Sequence, residues 1–349
     1  MRRFNLDEIP AFPEESQYAA MDDRVQCLWK AASECYREVP HQSFEFFLAA
    51  ARSYGRNLRV VTSGTGLSAF IIRGRIATCV IEGCGLLLTA SRLPDTTQFF
   101  ASTARELGVR VLYFPLVYPD LPISRLLLDT PGCLKLRRRP SSVIDWSDRG
   151  RSIWTRCLSR LGTRARRRLR AYERHGLTIA TLEGDTAVAA VDRVEQTSWK
   201  ASHGQDMHSR GQFEYYRFLI LAGAVTVRAV HHGSEVIAYR LDTRVRDTVF
   251  CLKWSFDEAY RKASPGFALI VHDLEVCYRD LPLKQVDLFG SPDQLKDAVA
   301  TGTRARVDLA WPQCMEAEDL LRERAEHDSL NDRIYRTGFG IRAAYDGGK

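Results

Sequence analysis

The chain has 349 residues, 45% of them hydrophobic and 27% charged, which suits a globular protein of two domains and excludes a disordered or low-complexity one. No apolar run approaches the ~20 residues of a membrane span, and the first 16 residues carry two arginines with no hydrophobic stretch behind them, so neither an anchor nor a secretory signal is expected and the expected location is the cytoplasm. Nine scattered cysteines without a C-x-x-C pair point to buried thiols rather than a disulfide framework or a zinc site, and no metal is expected. The formal net charge is +7, yet the stretch from Arg137 to Arg174 alone holds thirteen arginines against three acids. The basic character is one local stripe.

From the N-terminus, Val25, Leu28, Trp29, Ala32 and Tyr36 recur at helical spacing within Met21–Tyr36, ahead of Pro40. Residues 43–55 predict a short helix closed by Gly55. LRVVTSGTG and LSAFIIRGR predict a hairpin turned at residues 63–66, and residues 76–89 continue the sheet. A helix is expected from Asp95 to Leu107, then a buried strand over residues 109–117. Residues 135–150, KLRRRPSSVIDWSDRG, read as a linker. Ser152–His175 predicts one amphipathic helix, with Trp154, Leu158, Leu161, Ala165, Leu169 and Tyr172 on its apolar stripe, arginines on the rest and Gly176 at its end.

The remainder is regular. A strand (177–184) is followed by helices at 186–202 and 211–223, then three antiparallel strands, the first turning at His232-Gly233-Ser234. Pro265–Asp280 predicts a helix with proline in its first turn. A strand (284–290), a short helix (292–300) and a last strand (304–312) complete the series. A charged helix over Glu316–His327 and a Gly-rich end are expected beyond it. The order from residue 177 is β-α-α-β-β-β-α-β-α-β, within a mixed α/β chain.

That order resembles the GNAT acyltransferase topology. Local stretches resemble, more narrowly, the cellulose-biosynthesis-type acetyltransferases and their FemAB-like relatives. These are the Trp199-Lys200 helix end in EQTSWKAS, the Tyr260-x-x-x-Ser264-Pro265-Gly266 stretch, and VDLFGSPDQLK with its Asp287, Gly290 and following Lys296. The resemblance covers about half the chain. It implies a GNAT-like domain at 151–315 that starts with the basic helix. It also implies an N-terminal α/β domain at 1–134 as a degenerate second unit, a linker at 135–150 and a tail at 316–349.

The resemblance further implies a site. GNAT proteins hold the pyrophosphate of acyl-CoA on backbone N–H groups where the fourth strand turns into a helix. Here that turn would be Arg261 to Phe267. Arg261 and Gly266 match the pattern; Ser264 replaces a glycine and Pro265 removes an N–H. The same residues also read as an ordinary helix start, with Ser264 as cap. The altered turn admits a second donor, since FemAB-like proteins use aminoacyl-tRNA. Arg160, Arg164, Arg167 and Arg168 on the basic helix would suit its phosphates, or simply be a solvated face. Asp287 and Glu195 are the candidate general bases. Trp199, Lys200 and Lys253 are candidates for substrate contact, and Lys296 for donor phosphate. The expected activity is N-acyl transfer from acyl-CoA or a similar thioester to a small-molecule amine. The alternatives are aminoacyl transfer from tRNA and a non-catalytic binding protein on the same fold.

Overall fold

The computed structural model describes residues 16–19, 22–36, 39–54, 58–63, 66–79, 86–88, 96–138, 140–146, 152–290 and 293–312. The expected tail helix at 316–327 lies outside them.

The first half runs β1 (Ser16–Ala19), α1 (Asp23–Tyr36), α2 (Phe44–Tyr54), β2 (Leu58–Ser63), β3 (Gly66–Arg73), β4 (Ile76–Cys79), β5 (Leu86–Leu88), α3 (Thr96–Glu106), β6 (Val111–Val117), α4 (Pro122–Asp129), β7 (Leu134–Arg138) and β8 (Ser141–Asp145). The apolar stripe of α1 does what its spacing predicts. Val25, Trp29 and Ala32 are buried, and Trp29 stacks on Phe47 of α2 at 4.3 Å.

The second half runs α5 (Ile153–Leu161), α6 (Thr163–Arg174), β9 (Thr178–Leu182), α7 (Gly184–Thr197), α8 (Phe213–Leu221), β10 (Thr226–His232), β11 (Glu235–Val245) and β12 (Thr248–Phe256). A helical stretch follows, made of α9 (Pro265–Phe267), a π-helical turn (Ala268–Asp273) and α10 (Leu274–Tyr278). Then come β13 (Gln285–Asp287), α11 (Gln294–Val299), β14 (Gly302–Arg304) and β15 (Val307–Pro312). From β9 onward this is the expected order, except that the last strand is two.

The strands form two sheets, ordered β1-β2-β3-β4-β6-β15-β7, with β5 beside β3, and β14-β8-β13-β12-β11-β10-β9. The two sheets repeat one plan. In each, a strand and two helices lead into a three-stranded antiparallel meander (β2–β4, β10–β12). A helical crossover then delivers a strand parallel to the meander's last member, β4 to β6 and β12 to β13. The helix pairs face each other, with Phe46 of α2 edge-on to Tyr215 of α8 at 6.2 Å.

Three sequence expectations are corrected. The segment 135–150 is not a linker, because it contributes β7 to the first sheet and β8 to the interior of the second, between β13 and β14. Conversely β15, expected in the C-terminal domain, enters the first sheet between β6 and β7. The two halves therefore exchange strands. Third, the single helix over 152–175 is broken at Gly162, whose φ of +51° suits a residue without a side chain. The break lets α5 pack on α11 while α6 takes another direction. Gly176 ends α6 as expected, with φ +58°.

The π-helical turn has a purpose visible in its partners. The Leu269 carbonyl accepts a hydrogen bond from Arg240, which lies fully buried on β11. Arg240 also donates to Asp242 at 2.9 Å and to Asp273 at 2.9 Å. Arg228 shares Asp273, and the Tyr278 hydroxyl donates to Asp242 at 2.7 Å. Burial pushes the Asp273 carboxyl up, but the Arg228 hydrogen bond and the two guanidinium charges outweigh it and hold the group below the ordinary range. Arg240→Met leaves Asp242 buried without its cation. We expect it to destabilise the chain by about 3–5 kcal/mol, the range for a broken buried pair, read as a fall in the urea midpoint with an unchanged slope.

Candidate active site

β12 and β13 pair in parallel over Thr248–Phe250 and Gln285–Asp287 only. Beyond that, β12 continues to Phe256 alone on this side. The Asp257 amide donates to Ile237 of β11 at 2.8 Å, and main-chain groups alternate sides along an antiparallel strand. The N–H and C=O of Trp254 therefore face away from β11, into the gap.

That gap is a cavity of about 300 Å³. One wall is Trp254, Ser255 and Phe256 of β12, a second the bend at Ser264–Phe267, a third Trp199 and Lys200 after α7. Arg168 of α6, Arg261 and the start of α11 at Asp293–Leu295 close it. The structure thus brings together six of the sequence candidates: Trp199, Lys200, Arg261, Ser264, Gly266 and Phe267. It adds Arg168, which the sequence placed on a nucleic-acid face.

The bend offers few amides. Ser264 has φ +59°, Pro265 has no N–H, and the Ser264 and Phe267 amides donate to the Arg261 carbonyl (3.2 Å) and the Ser264 carbonyl (3.0 Å). Gly266 is the remaining N–H of the bend. A Cβ there would meet Phe256 at 3.7 Å and Trp254 at 3.8 Å, ordinary contact distances, so the cavity side of Gly266 has room. Arg261 is half-exposed and pairs with Glu258 at 2.6 Å.

Lys200 is half-buried. Its Nζ reaches the open edge of β12 and donates to the Trp254 carbonyl. Burial lowers this lysine to about 8, against the attraction of Glu195; Lys253, Arg210 and Lys296 push it further down. Burial also lowers Arg168, the Cys157 and Asp293 charges opposing.

Other candidates fall elsewhere. Asp287 is fully buried, and its carboxylate accepts from the Tyr118 hydroxyl (3.1 Å), the Ser141 hydroxyl (3.2 Å) and the Phe289 amide (2.9 Å). Glu195 is 1% exposed and accepts from the Met207 amide (2.7 Å) and the Tyr239 hydroxyl. Neither lines the cavity; both pin main chain. Lys253 follows the alternation of β12 to the other face, where it donates to Gln212 at 2.8 Å and sits over the Tyr216 ring. Lys296 is buried beneath the cavity, donating to the Phe289 carbonyl at 2.7 Å with its ammonium 5.7 Å from the Trp254 ring. Arg160 donates to the carbonyls of Asp297 and Ala300 and closes the end of α11, rather than facing a ligand. Arg164 and Arg167 stay exposed on α6. Among the described residues there is no group of three or more His, Cys, Asp or Glu that could hold a metal. No helix among them is long and apolar enough to cross a membrane.

Residues 159–297 match the model of the acetyltransferase (GNAT) domain. The protein is a mixed α/β chain with a GNAT domain in its C-terminal half. Among solved structures it is similar to FemX, with a TM-score of 0.58 and 10% identity over 88% of this chain and 99% of that one. It is similar also to the C-terminal domain of a putative lysylphosphatidylglycerol synthetase from Agrobacterium fabrum (TM-score 0.56, 14% identity, 88% and 97%). A third is a tandem GNAT protein from the clavulanic acid biosynthesis pathway (TM-score 0.50, 14% identity, 86% and 98%). These likenesses are of fold. No curated protein matches the chain. The domain and its neighbours support an acyltransferase-like protein.

The Lys200 environment predicts a pH dependence. The folded chain holds this lysine at about 8, the unfolded chain at the ordinary ~10.4. The unfolded state therefore binds the proton more tightly in between, and stability rises with pH across that window and is lost as pH falls toward 8. Urea unfolding of the native chain and of Lys200→Met at pH 7.5 and 9.5 should show the native chain gaining on the variant at the higher pH. An unchanged difference would mean an ordinary surface lysine.

Proposed function

We propose that this protein transfers an acyl group from an activated carrier, acyl-CoA or a similar thioester, to the amine of a small molecule, in the cavity between Lys200, Trp254 and Gly266. The observation that carries this reading is the open edge of β12. The Trp254 N–H faces the cavity, where it can receive the oxygen of an acyl carbonyl and stabilise the charge that develops on it. The carrier would lie along the bend, with the Gly266 amide, Arg261 and Arg168 toward its anionic part and Phe267 and Phe256 against its apolar part. Trp199 and Lys200 would border the acceptor.

The Tyr260-x-x-x-Ser264-Pro265-Gly266 stretch, whose bend lines the cavity, supports a position among the cellulose-biosynthesis-type and FemAB-like group. The repeated plan of the two sheets supports reading the N-terminal half as a second, degenerate unit, with strands exchanged across residues 135–150. A cytoplasmic location belongs to the same reading.

One observation favours a second donor. Two of the bend's amides are committed within it and Pro265 offers none, which weakens a pyrophosphate cradle. Arg168, by contrast, connects the cavity to a helix that exposes Arg164, Arg166, Arg167 and Arg170. Aminoacyl-tRNA, the donor of FemAB-like proteins, would place its phosphates there.

Two experiments separate these. The chain is incubated with acetyl-CoA and longer acyl-CoA thioesters and a panel of amines, and free thiol is followed. Release that depends on the amine is expected. Gly266→Glu, whose Cβ meets only ordinary contacts at this position, should cut it at least about 100-fold through like-charge contact with the carrier, with Gly266→Ala as the control that keeps the melting temperature and most of the release. If no thioester is consumed, filter retention of aminoacyl-tRNA decides. Binding that falls steeply with salt and weakens in Arg164→Glu/Arg167→Glu selects the second donor. Failure of both leaves a binding protein and ends the transferase reading.

A further inference from the structure

Amide formation needs a group to take a proton from the incoming ammonium, and the two carboxylates expected from the sequence are buried away from the cavity. Among the described residues that line it, four side chains are ionisable: Arg168, Lys200, Arg261 and Asp293. Guanidinium groups do not release their proton in this range. Asp293 caps α11, its carboxylate accepting from the Leu295 and Lys296 amides at 2.9 Å each. Lys200 remains.

We propose that Lys200 is the general base of the transfer, its ε-amine held on the Trp254 carbonyl beside the main-chain N–H that receives the acyl oxygen. The assignment rests on the transferase reading above. The anchor fixes the geometry, because the N–H and C=O of Trp254 emerge on the same side of β12. An acyl group bound to the first therefore lies next to the lysine bound to the second. An amine that donates one N–H to a carbonyl keeps its lone pair for the acceptor. The surroundings make it about half neutral at pH 8 and largely neutral above: burial disfavours the ammonium against the attraction of Glu195, and Lys253, Arg210 and Lys296 add repulsion.

The step balances. The acceptor ammonium gives one proton to Lys200 Nζ. Its nitrogen attacks the acyl carbonyl carbon, the N–C bond forms and the bond from carbon to the carrier sulfur or oxygen breaks. The nitrogen sheds its second proton to the departing carrier, and Lys200 returns its own to solvent. His203 is the other titratable ring nearby, edge-on to Trp199 at 5.8 Å with Nδ1 at the Trp199 carbonyl. It does not line the cavity.

The test is the pH profile of amine-dependent carrier release, with acetyl-CoA or aminoacyl-tRNA as the donor that the preceding experiments select. The native chain should show an acidic limb with its midpoint near the value of about 8 held by Lys200. Lys200→Arg, which keeps the charge and the reach to Trp254, should lose about 100-fold or more in kcat, within the usual range for a general base. It should lose the limb as well, while KM for the donor moves less than about threefold. Lys200→Met should match it, and His203→Ala should keep both rate and limb. If Lys200→Arg keeps the limb, or if His203→Ala removes it, the assignment is overturned while the transferase reading stands. If the native chain releases no carrier from either donor, the transferase reading itself falls.

Discussion

The parting of β13 from β12 at Asp287 is the constraint on which the cavity depends. The Asp287 carboxylate accepts from the Phe289 amide two residues on, and the chain then passes through positive φ at Phe289 (+39°) and Gly290 (+77°). β13 is turned out of the sheet there, and Trp254 of β12, paired with Arg240 of β11 on its other side, is left without a strand partner on this one. Burying a carboxyl group costs free energy unless donors replace the lost water. Tyr118, Ser141 and the Phe289 amide supply them. Lys296 holds the Phe289 carbonyl from the other side, so the turn is fixed at both its N–H and its C=O. A position with backbone strain of this kind persists only where its surroundings hold it.

The two side-chain donors that hold Asp287 come from the other half of the chain. Ser141 belongs to β8 and Tyr118 follows β6, so the exchanged strand both completes the second sheet and sets the point where it opens. The reciprocal contact is Asp308 of β15, which accepts from the Tyr113 hydroxyl at 3.0 Å and the Leu116 amide at 2.8 Å in the first sheet. Because each sheet contains a strand of the other half, neither can loosen at a linker without losing ladder hydrogen bonds. Preorganised main-chain donors stabilise charge because they do not have to reorient. The interlock keeps the Trp254 edge in one place.

From residue 177 to residue 300 the elements were legible because each carries its own period and its own punctuation: Gly184, Gly223, Gly233, Pro265. The linker at 135–150 was misread because Pro140 and a run of arginines resemble loop composition, while the alternation of Leu134 and Leu136 with Lys135 and Arg137 was the weaker signal. No local pattern reveals that β8 and β15 cross between sheets, since their partners lie far away in sequence. The same distance hid the duties of Asp287 and Glu195. A carboxylate is visible as a charge, but the donors that commit it, 169, 146 and 44 residues away, are not. Arg168 could have been found: it lies three residues after Ala165, which is fully buried, and so at the border of the apolar stripe of α6, while Arg167 lies on the opposite side.

The cations of the cavity divide their work by chemistry. An anionic carrier bound beside Lys200 would favour the ammonium and take away the lone pair that proton transfer needs. The negative charge has to be met instead by groups that keep their proton, and guanidinium groups do so. Arg168 and Arg261 occupy that position at the rim, while Lys200 sits inward on the main chain of β12. An entering ammonium acts in the opposite sense, since its like charge disfavours protonated Lys200. The acceptor thus lowers the proton affinity of its own base. This helps because the proton affinity of Lys200 is already lowered before the acceptor arrives, by burial first and by three neighbouring cations after it.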